Sequence, residues 1–414
     1  MELDWLCYIS ATLLGAYLFV FKCLRNVNGW YYHVKLGKKK HPLPPGDMGW
    51  PLVGNFFAFA KSFRSGDPDS FINKLVSRYG RTGIYKTHLF GNPSVIVCTP
   101  DMCRRVMTDE EHFRPGYPKS TVKLTGTSAG SASPAEHKRL RRLTTAPIMG
   151  HKALAVYTER IEDIVIDKLD EWASMKQPFE LLKGLKEVTF RVIIHIFFGS
   201  HSQYSVVTKI GELFTETASA LFSLPIDLPG FTFHKALKAR KKLVGIIECI
   251  LEERKMMMKT GDQREGKKDL VDVLLEVEDE NGEKLEDKDI VDLLFQFQFA
   301  GHESTSLGYT IPKGWKVVNL IRAIHMDPQY YPNAQEFNPS RWDDYKVKTG
   351  SFLPFGIGCR LCPGSDLAKL EITIFLHYFL RNYKLERINE KCPITFLPMV
   401  KPTDDCLARV IKVP

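Results

Sequence analysis

Ten residues near the C-terminus carry the densest chemistry in the chain: Phe355-Gly356-Ile357-Gly358-Cys359-Arg360-Leu361-Cys362-Pro363-Gly364, running straight into Leu367-Ala368-Lys369-Leu370-Glu371. Gly358 and Gly364 let the backbone turn tightly and approach a flat partner closely. Arg360 offers a fixed cation. Cys362 falls where the next helix begins, so the helix's positive end and nearby donors favour its thiolate. A thiolate so placed is what an axial ligand to a haem iron requires, because it pushes electron density onto the metal and favours O–O cleavage. Cys359 and Cys362 also form a Cys-x-x-Cys. A zinc knuckle needs two further ligands at matching spacing, and Cys392 and Cys406 stand alone. A thioredoxin-type pair needs a βαβ setting that the pattern lacks. A buried structural Cys explains neither Phe355 nor Arg360, so haem-thiolate ligation outweighs all three.

A second constellation, Ala300-Gly301-His302-Glu303-Ser304-Thr305, closes the apolar run Ile290 to Phe299. The Ala-Gly pair leaves room against a cofactor face, and an adjacent acid and hydroxyl can relay protons to bound dioxygen. The competing reading is a helix end emerging into solvent, with Ser304 bonding back one turn. In the third, His137-Lys138-Arg139-Leu140-Arg141-Arg142, helical spacing puts His137 and Arg141 on one face, either as a solvated basic stripe or as contacts to an anion.

These groups need a mainly helical scaffold with a few short strands. Asp69-Ser70 caps a helix that stops at Gly80. Two β-rich runs, 83–89 and 94–98, flank Gly91-Asn92 as a hairpin. Ser133-Pro134-Ala135-Glu136 forms a capping box for the helix bearing His137. Long helical patterns fill 151–200 and 234–258, separated by the apolar loop Leu224 to Phe231, and Glu276 to Asp289 is an acidic loop. The 414 residues, 44% hydrophobic and 25% charged, exclude disorder and allow a sizeable core. Lys plus Arg number 57 against 48 Asp plus Glu, a surplus too small and too scattered to argue for nucleic acid. Nine Cys without regular spacing fit reduced thiols facing the cytosol. At the other end, Trp5 to Phe21 carries no charge, with Glu2 and Asp4 before it and Lys22, Arg25 and Lys35 after. This predicts an uncleaved membrane anchor over 1–24 with the bulk of the chain cytosolic. The basic, Pro-rich stretch 25–54 then reads as a semi-rigid hinge, and 55–414 as the catalytic domain.

From that hinge almost to the last residue the sequence resembles the cytochrome P450 family. The Cys362 loop, Phe337-Asn338-Pro339-Ser340-Arg341-Trp342 and the Pro-rich hinge carry the likeness. Within the family it is most similar to the plant group containing β-amyrin 11-oxidase and ent-kaurenoic acid oxidase, through His41 to Pro51, Pro229 to Leu237 and Phe352 to Gly356. The resemblance implies a P450 fold and a thiolate-ligated haem b with Cys362 on the iron. Phe355, Gly358, Arg360 and Gly364 then lie around the haem, and His137 and Arg141 at its propionates, His137 standing where the family usually has Trp. It gives Glu303 and Ser304, with Thr305 beside them, the family's acid and hydroxyl roles. It also implies NADPH-derived electrons from a reductase docking near Lys369, Arg381, Lys384 and Arg387, a single-pass endoplasmic-reticulum location, and an apolar terpenoid substrate, with β-amyrin oxidised at C-11 the nearest reading.

One departure cuts across this. Glu303 and Cys362 are 59 positions apart, where the resemblance implies roughly twice that. Gly308 and Pro312 follow at once, and Ile311-Pro312-Lys313-Gly314-Trp315 reads as a hairpin turn that the family places much later. An internal segment near 306–309 is missing, with it the family's Glu-x-x-Arg, whose partner is the Arg matching Arg341. Leaving one side of a buried ion pair costs about 3–5 kcal/mol. The expectation is an impaired monooxygenase, or a non-catalytic, truncated, membrane-anchored isoform acting through protein partners.

Overall fold

Amphipathic repeats become helices, and the short β-rich runs become small sheets, in a computed structural model that describes residues 2–37, 41–113, 116, 119–126, 134–199, 204–220, 223, 225–260, 268–280, 282–297, 311–343, 348–358, 361–396 and 400–413. In chain order the elements are α1 (Glu2–Leu36), α2 (Phe56–Arg64), α3 (Ser70–Tyr79), β1 (Ile84–Leu89), β2 (Asn92–Val97), α4 (Pro100–Thr108), α5 (Lys119–Thr125), α6 (Pro134–Met149), α7 (His151–Ser174), β3 (Phe179–Glu180), α8 (Leu181–Phe198), α9 (Tyr204–Ala218), α10 (Thr232–Thr260), α11 (Leu270–Glu276), α12 (Asp287–Phe297), β4 (Lys316–Asn319), α13 (Ile321–His325), α14 (Ser365–Asn382), β5 (Tyr383–Arg387), β6 (Ile394–Thr395), β7 (Lys401–Pro402) and β8 (Leu407–Lys412). They fall into two compact units. One comprises Met1–Arg114, His302–Arg360 and Pro393–Lys401; the other comprises Pro115–Gly301, Leu361–Cys392 and Pro402–Pro414.

In the first unit the expected membrane anchor finds no support among the described residues. The uncharged run Trp5 to Phe21 lies within α1, yet among the described residues no helix is long and apolar enough to cross a membrane. The spanning anchor is therefore not supported. The latter half of α1 docks instead. Buried Asn28 donates to the carbonyls of Met48 and Trp50, Arg25 pairs with Asp47 at 2.8 Å, and Phe21 meets Trp50 edge-on at 4.5 Å. The stretch expected to be a hinge lies along β1: Lys86 N–H donates to Pro45 O, and Asn55 N–H to His88 O.

β1 and β2 pair antiparallel from Ile84↔Val97 to Leu89↔Asn92, and β4 adds in parallel from Ser94↔Lys316 to Val97↔Asn319. The turn falls on Phe90-Gly91, one residue earlier than expected, with both at positive φ (52° and 74°) as a mirror-image two-residue turn requires. The strand after the Ile311–Trp315 turn is paired with β2. The fit has a flaw. Asn319 follows Val317 by two and shares its face, where Val95, Val97, Met102 and Cys103 form an apolar cluster. Both amide atoms of Asn319 are buried there without a partner, as is Thr99 Oγ1.

Arg341 also departs from expectation. It is partly exposed, and its guanidinium donates to the carbonyls of Pro332, Asn333 and Glu336. No buried charge is stranded, so the 3–5 kcal/mol penalty does not arise. Phe337 beside it is 95% exposed and Trp342 45%.

In the second unit α7, α8, α10, α12 and α14 share one core with β5 and β8. Trp172, 2% exposed, sits 5.2 Å from Phe179 and 6.3 Å from Phe375 between ring centroids. α8 can lie this close only because residue 184 is Gly: a Cβ there would stand 2.7 Å from the Trp172 ring. Arg254 on α10 donates to Asp272 Oδ1 and Asp269 Oδ2, each at 2.7 Å, and to Phe198 O at 2.8 Å. It thereby joins the end of α8 to the Asp269/Asp272 capping box that starts α11.

Two outcomes follow for stability, both read from urea denaturation midpoints. Asn319→Val removes two unpaired buried polar atoms and is expected to stabilise the chain by about 1–3 kcal/mol; a loss of stability would show that the amide finds partners in solution. Arg254→Met leaves the buried Asp269 carboxylate without its cation and is expected to cost about 3–5 kcal/mol.

Candidate functional site

Cys362 stands two residues before Gly364, the N-cap of α14. Its carbonyl accepts from Ser365 N–H at 3.4 Å, and Gly364 O accepts from Ala368 N–H at 2.9 Å, so the loop passes directly into the helix. The thiol is free and partly exposed. A Cβ at residue 364 would lie 4.0 Å from Cys362 Sγ, and Gly keeps that side of the sulfur clear. An unpaired thiol beside the positive end of an 18-residue helix, with no side chain at the second residue after it, suits thiolate ligation of a haem iron.

In the same unit α6 packs against α14. His137 and Arg141 lie one turn apart on α6, both partly buried and both engaged with neighbouring groups. The two share a face, as their spacing predicts, on a helix that touches the one following Cys362. Lys369, Arg381, Lys384 and Arg387 are exposed in this unit. Lys369 pairs with Asp366 at 3.0 Å, and Arg387 donates to Asn389 O and Glu390 O.

Phe355 and Gly358 belong to the other unit. Leu353 and Ile357 pack into the cluster formed with Met102, Cys103 and Met107 of α4. Gly358 has φ +76°, and a Cβ there would stand 2.7 Å from Met107 O. Only Gly fits, which explains the second Gly of the motif by its packing against α4. Glu303, Ser304, Thr305 and Arg360 lie outside the described residues, as does Ser133, the expected cap of α6. Among the described residues no three His, Cys, Asp or Glu side chains gather to hold a metal ion.

One group escaped sequence reasoning. Glu371 lies on the same stripe of α14 as Leu367, Leu370, Ile374, Phe375 and Tyr378, which pack on the core. Burial pushes its carboxyl up to about 7. The signal was legible in the 3.6-residue period, where an acid occupies an inward position.

The profile described as Cytochrome P450 matches this chain in two stretches, residues 44–308 and 307–405. A β-amyrin 11-oxidase of Glycyrrhiza uralensis is 52% identical over 491 aligned positions, covering 100% of this chain and 99% of that protein. Against the 414 residues present, those 491 positions leave a difference of 77. An ent-kaurenoic acid oxidase of Arabidopsis thaliana is 42% identical, with 98% of each chain covered. Among solved structures, cyanobacterial CYP120A1 with retinoic acid bound superposes with a TM-score of 0.77 at 22% identity, over 90% of this chain and 100% of that one. That likeness concerns the fold.

Glu371 makes stability depend on pH in a stated direction. Its folded value lies above the ordinary carboxyl value, so protonation favours the native state, and that contribution fades as pH rises through about 7. Glu371→Gln is therefore expected to raise the melting temperature at pH 8 and to change it little at pH 5. Equal shifts at both values would show that the carboxyl ionises freely in the native state.

Proposed function

The chain belongs to the cytochrome P450 family, and from that premise we propose that it is a terpenoid-oxidising haem-thiolate monooxygenase whose turnover is weakened by a missing internal segment. The observation that carries the reading is Cys362, a free thiol delivered to the start of α14 with Gly364 beside it. The oxidase names of its relatives support a terpenoid substrate, and the greater identity to the β-amyrin enzyme favours a triterpene, with C-11 of β-amyrin as the position attacked.

When bound, the haem supplies dioxygen activation, using electrons that an NADPH-dependent reductase delivers. The chain's own residues do the rest. Cys362 would ligate the iron as a thiolate, from the start of α14 where the helix presents its free N–H groups. Phe355 and the Gly358 and Gly364 positions keep the loop narrow. His137, Arg141 and Arg360 offer donors and positive charge to the porphyrin carboxylates. Glu303 holds a proton, and the hydroxyls of Ser304 and Thr305 pass it on. Lys369, Arg381, Lys384 and Arg387 present positive charge to the reductase.

Impairment is supported by the two-stretch family match and by the 77-position shortfall. Arg341 supports it as well, since it bonds to loop carbonyls and, among the described residues, to no carboxylate. The same observations favour a second reading, a non-catalytic isoform that acts through protein partners.

The absorption spectrum of the reduced, carbon-monoxide-treated full-length chain separates the two. A thiolate-ligated band is expected in the chain as it stands and is expected to vanish in Cys362→Ala; its absence from both supports the non-catalytic isoform, and unchanged pigment uptake by the variant would overturn the ligand assignment. With reductase-supplied microsomes and β-amyrin, little or no 11-oxidised product is expected, and appreciable product would refute impairment.

A further inference from the structure

Two side chains fasten the stretch that leads into Phe355. Tyr331 Oη donates to Ser351 O at 2.9 Å, and Leu353 N–H donates to His325 Nε2 at 3.0 Å. Ser351 and Leu353 are 0% and 3% exposed. Leu353 lies outside any helix or strand, so its N–H has no ladder to join and depends on a side-chain acceptor. A backbone N–H can only donate. The contact therefore fixes His325 Nε2 as the lone-pair nitrogen and leaves the ring proton on Nδ1. Burial holds the ring's pKa below the ordinary imidazole value, which favours that neutral form. The ring is itself packed, 5.5 Å from Phe352 and 6.2 Å from Tyr331 between centroids. It closes α13, whose Ile324 is buried in one cluster with Leu353, and Ile357 packs against that cluster. Past Leu353 the chain turns, Gly356 N–H donating to Leu353 O at 3.3 Å.

We infer that His325 is a positioning residue for the loop that ends at Cys362: by accepting from Leu353 N–H it holds the start of the Phe355–Gly358 turn in one conformation. The inference rests on the haem-thiolate reading above and adds to it a residue that acts through the loop. Cys362 follows Leu353 by nine residues, and a connection this short inherits the order of its fixed end. With the N–H released, Gly356 and Gly358, at φ +77° and +76°, open many other paths to the turn. A histidine meets both needs of the position, an acceptor for the amide and a flat ring against Phe352 and Tyr331.

Two substitutions separate those needs. His325→Phe keeps a ring and removes the acceptor, whereas His325→Gln keeps an acceptor at the reach of Nε2 and removes the ring. Amide hydrogen exchange in the purified full-length chain gives the first readout. Protection of the Leu353 amide is expected to fall about tenfold in His325→Phe, the equivalent of one buried hydrogen bond, and to be retained in His325→Gln, with the amides of β1 and β2 unchanged in both. The second readout is the reduced, carbon-monoxide-treated spectrum of the haem-loaded chain. Its thiolate-ligated band is expected to shrink in His325→Phe and to be rescued in His325→Gln. Unchanged Leu353 exchange in His325→Phe, a band that this variant keeps in full, or a band lost equally from both variants would overturn the positioning role alone. No band in the unaltered chain would overturn the haem-thiolate reading and the positioning role together. If His325→Phe also loses protection across β1 and β2, His325→Asn decides in its place, being polar but too short to reach the Leu353 N–H: loss of both readouts supports the role, and a retained band overturns it.

Discussion

The proposed haem-thiolate chemistry depends on how one turn delivers a sulfur to the end of a helix. A thiol is a poor ligand until it is ionised, and ionisation away from bulk water needs fixed positive charge nearby. In this chain Cys362 stands where the loop passes into a helix. α14 starts at Ser365, Gly364 caps it, and the Cys362 carbonyl is already part of its hydrogen bonding. The loop's end is fixed by an 18-residue helix that packs against α6 and α7.

Different parts of the chain are held together by different means. Aromatic packing dominates where Trp172, Phe179 and Phe375 meet over Gly184. Buried ion networks serve where the chain must turn, as Arg254 does between α8, α10 and α11. The sheet of β1, β2 and β4 relies on register, and there the sequence and the fold disagree: an Asn occupies a position that an apolar side chain would fill without cost. Such a local conflict, a few residues after the point where the family match breaks in two, is what an abbreviated sequence would produce when a strand takes the nearest available edge.

Much of this was legible in the residues. The Cys362 loop, the helix starting at Pro134, the end of α3 at Gly80 and the β1–β2 hairpin all follow from spacing, glycines and caps, because these signals are local. The errors came where tertiary contact overrode local pattern. In the Pro-rich stretch read as a spacer, the Pro45 carbonyl accepts from Lys86 of β1, a contact no local pattern announces. Asp69, expected to cap α3, instead accepts from Arg322, and Asp67 receives the Ser70 N–H. No spacing rule reveals a partner 253 residues away. Nor does the sequence alone distinguish an inward acid such as Glu371 from a solvated one unless its helix is known to be packed on that side.

The bonding of Arg341 has a consequence for how such a protein could arise. Its guanidinium takes its partners from three carbonyls within nine residues of itself, so its satisfaction is independent of any distant acid. A lineage could therefore drop a whole cassette of chain, at one splice junction, without orphaning a cation in the interior.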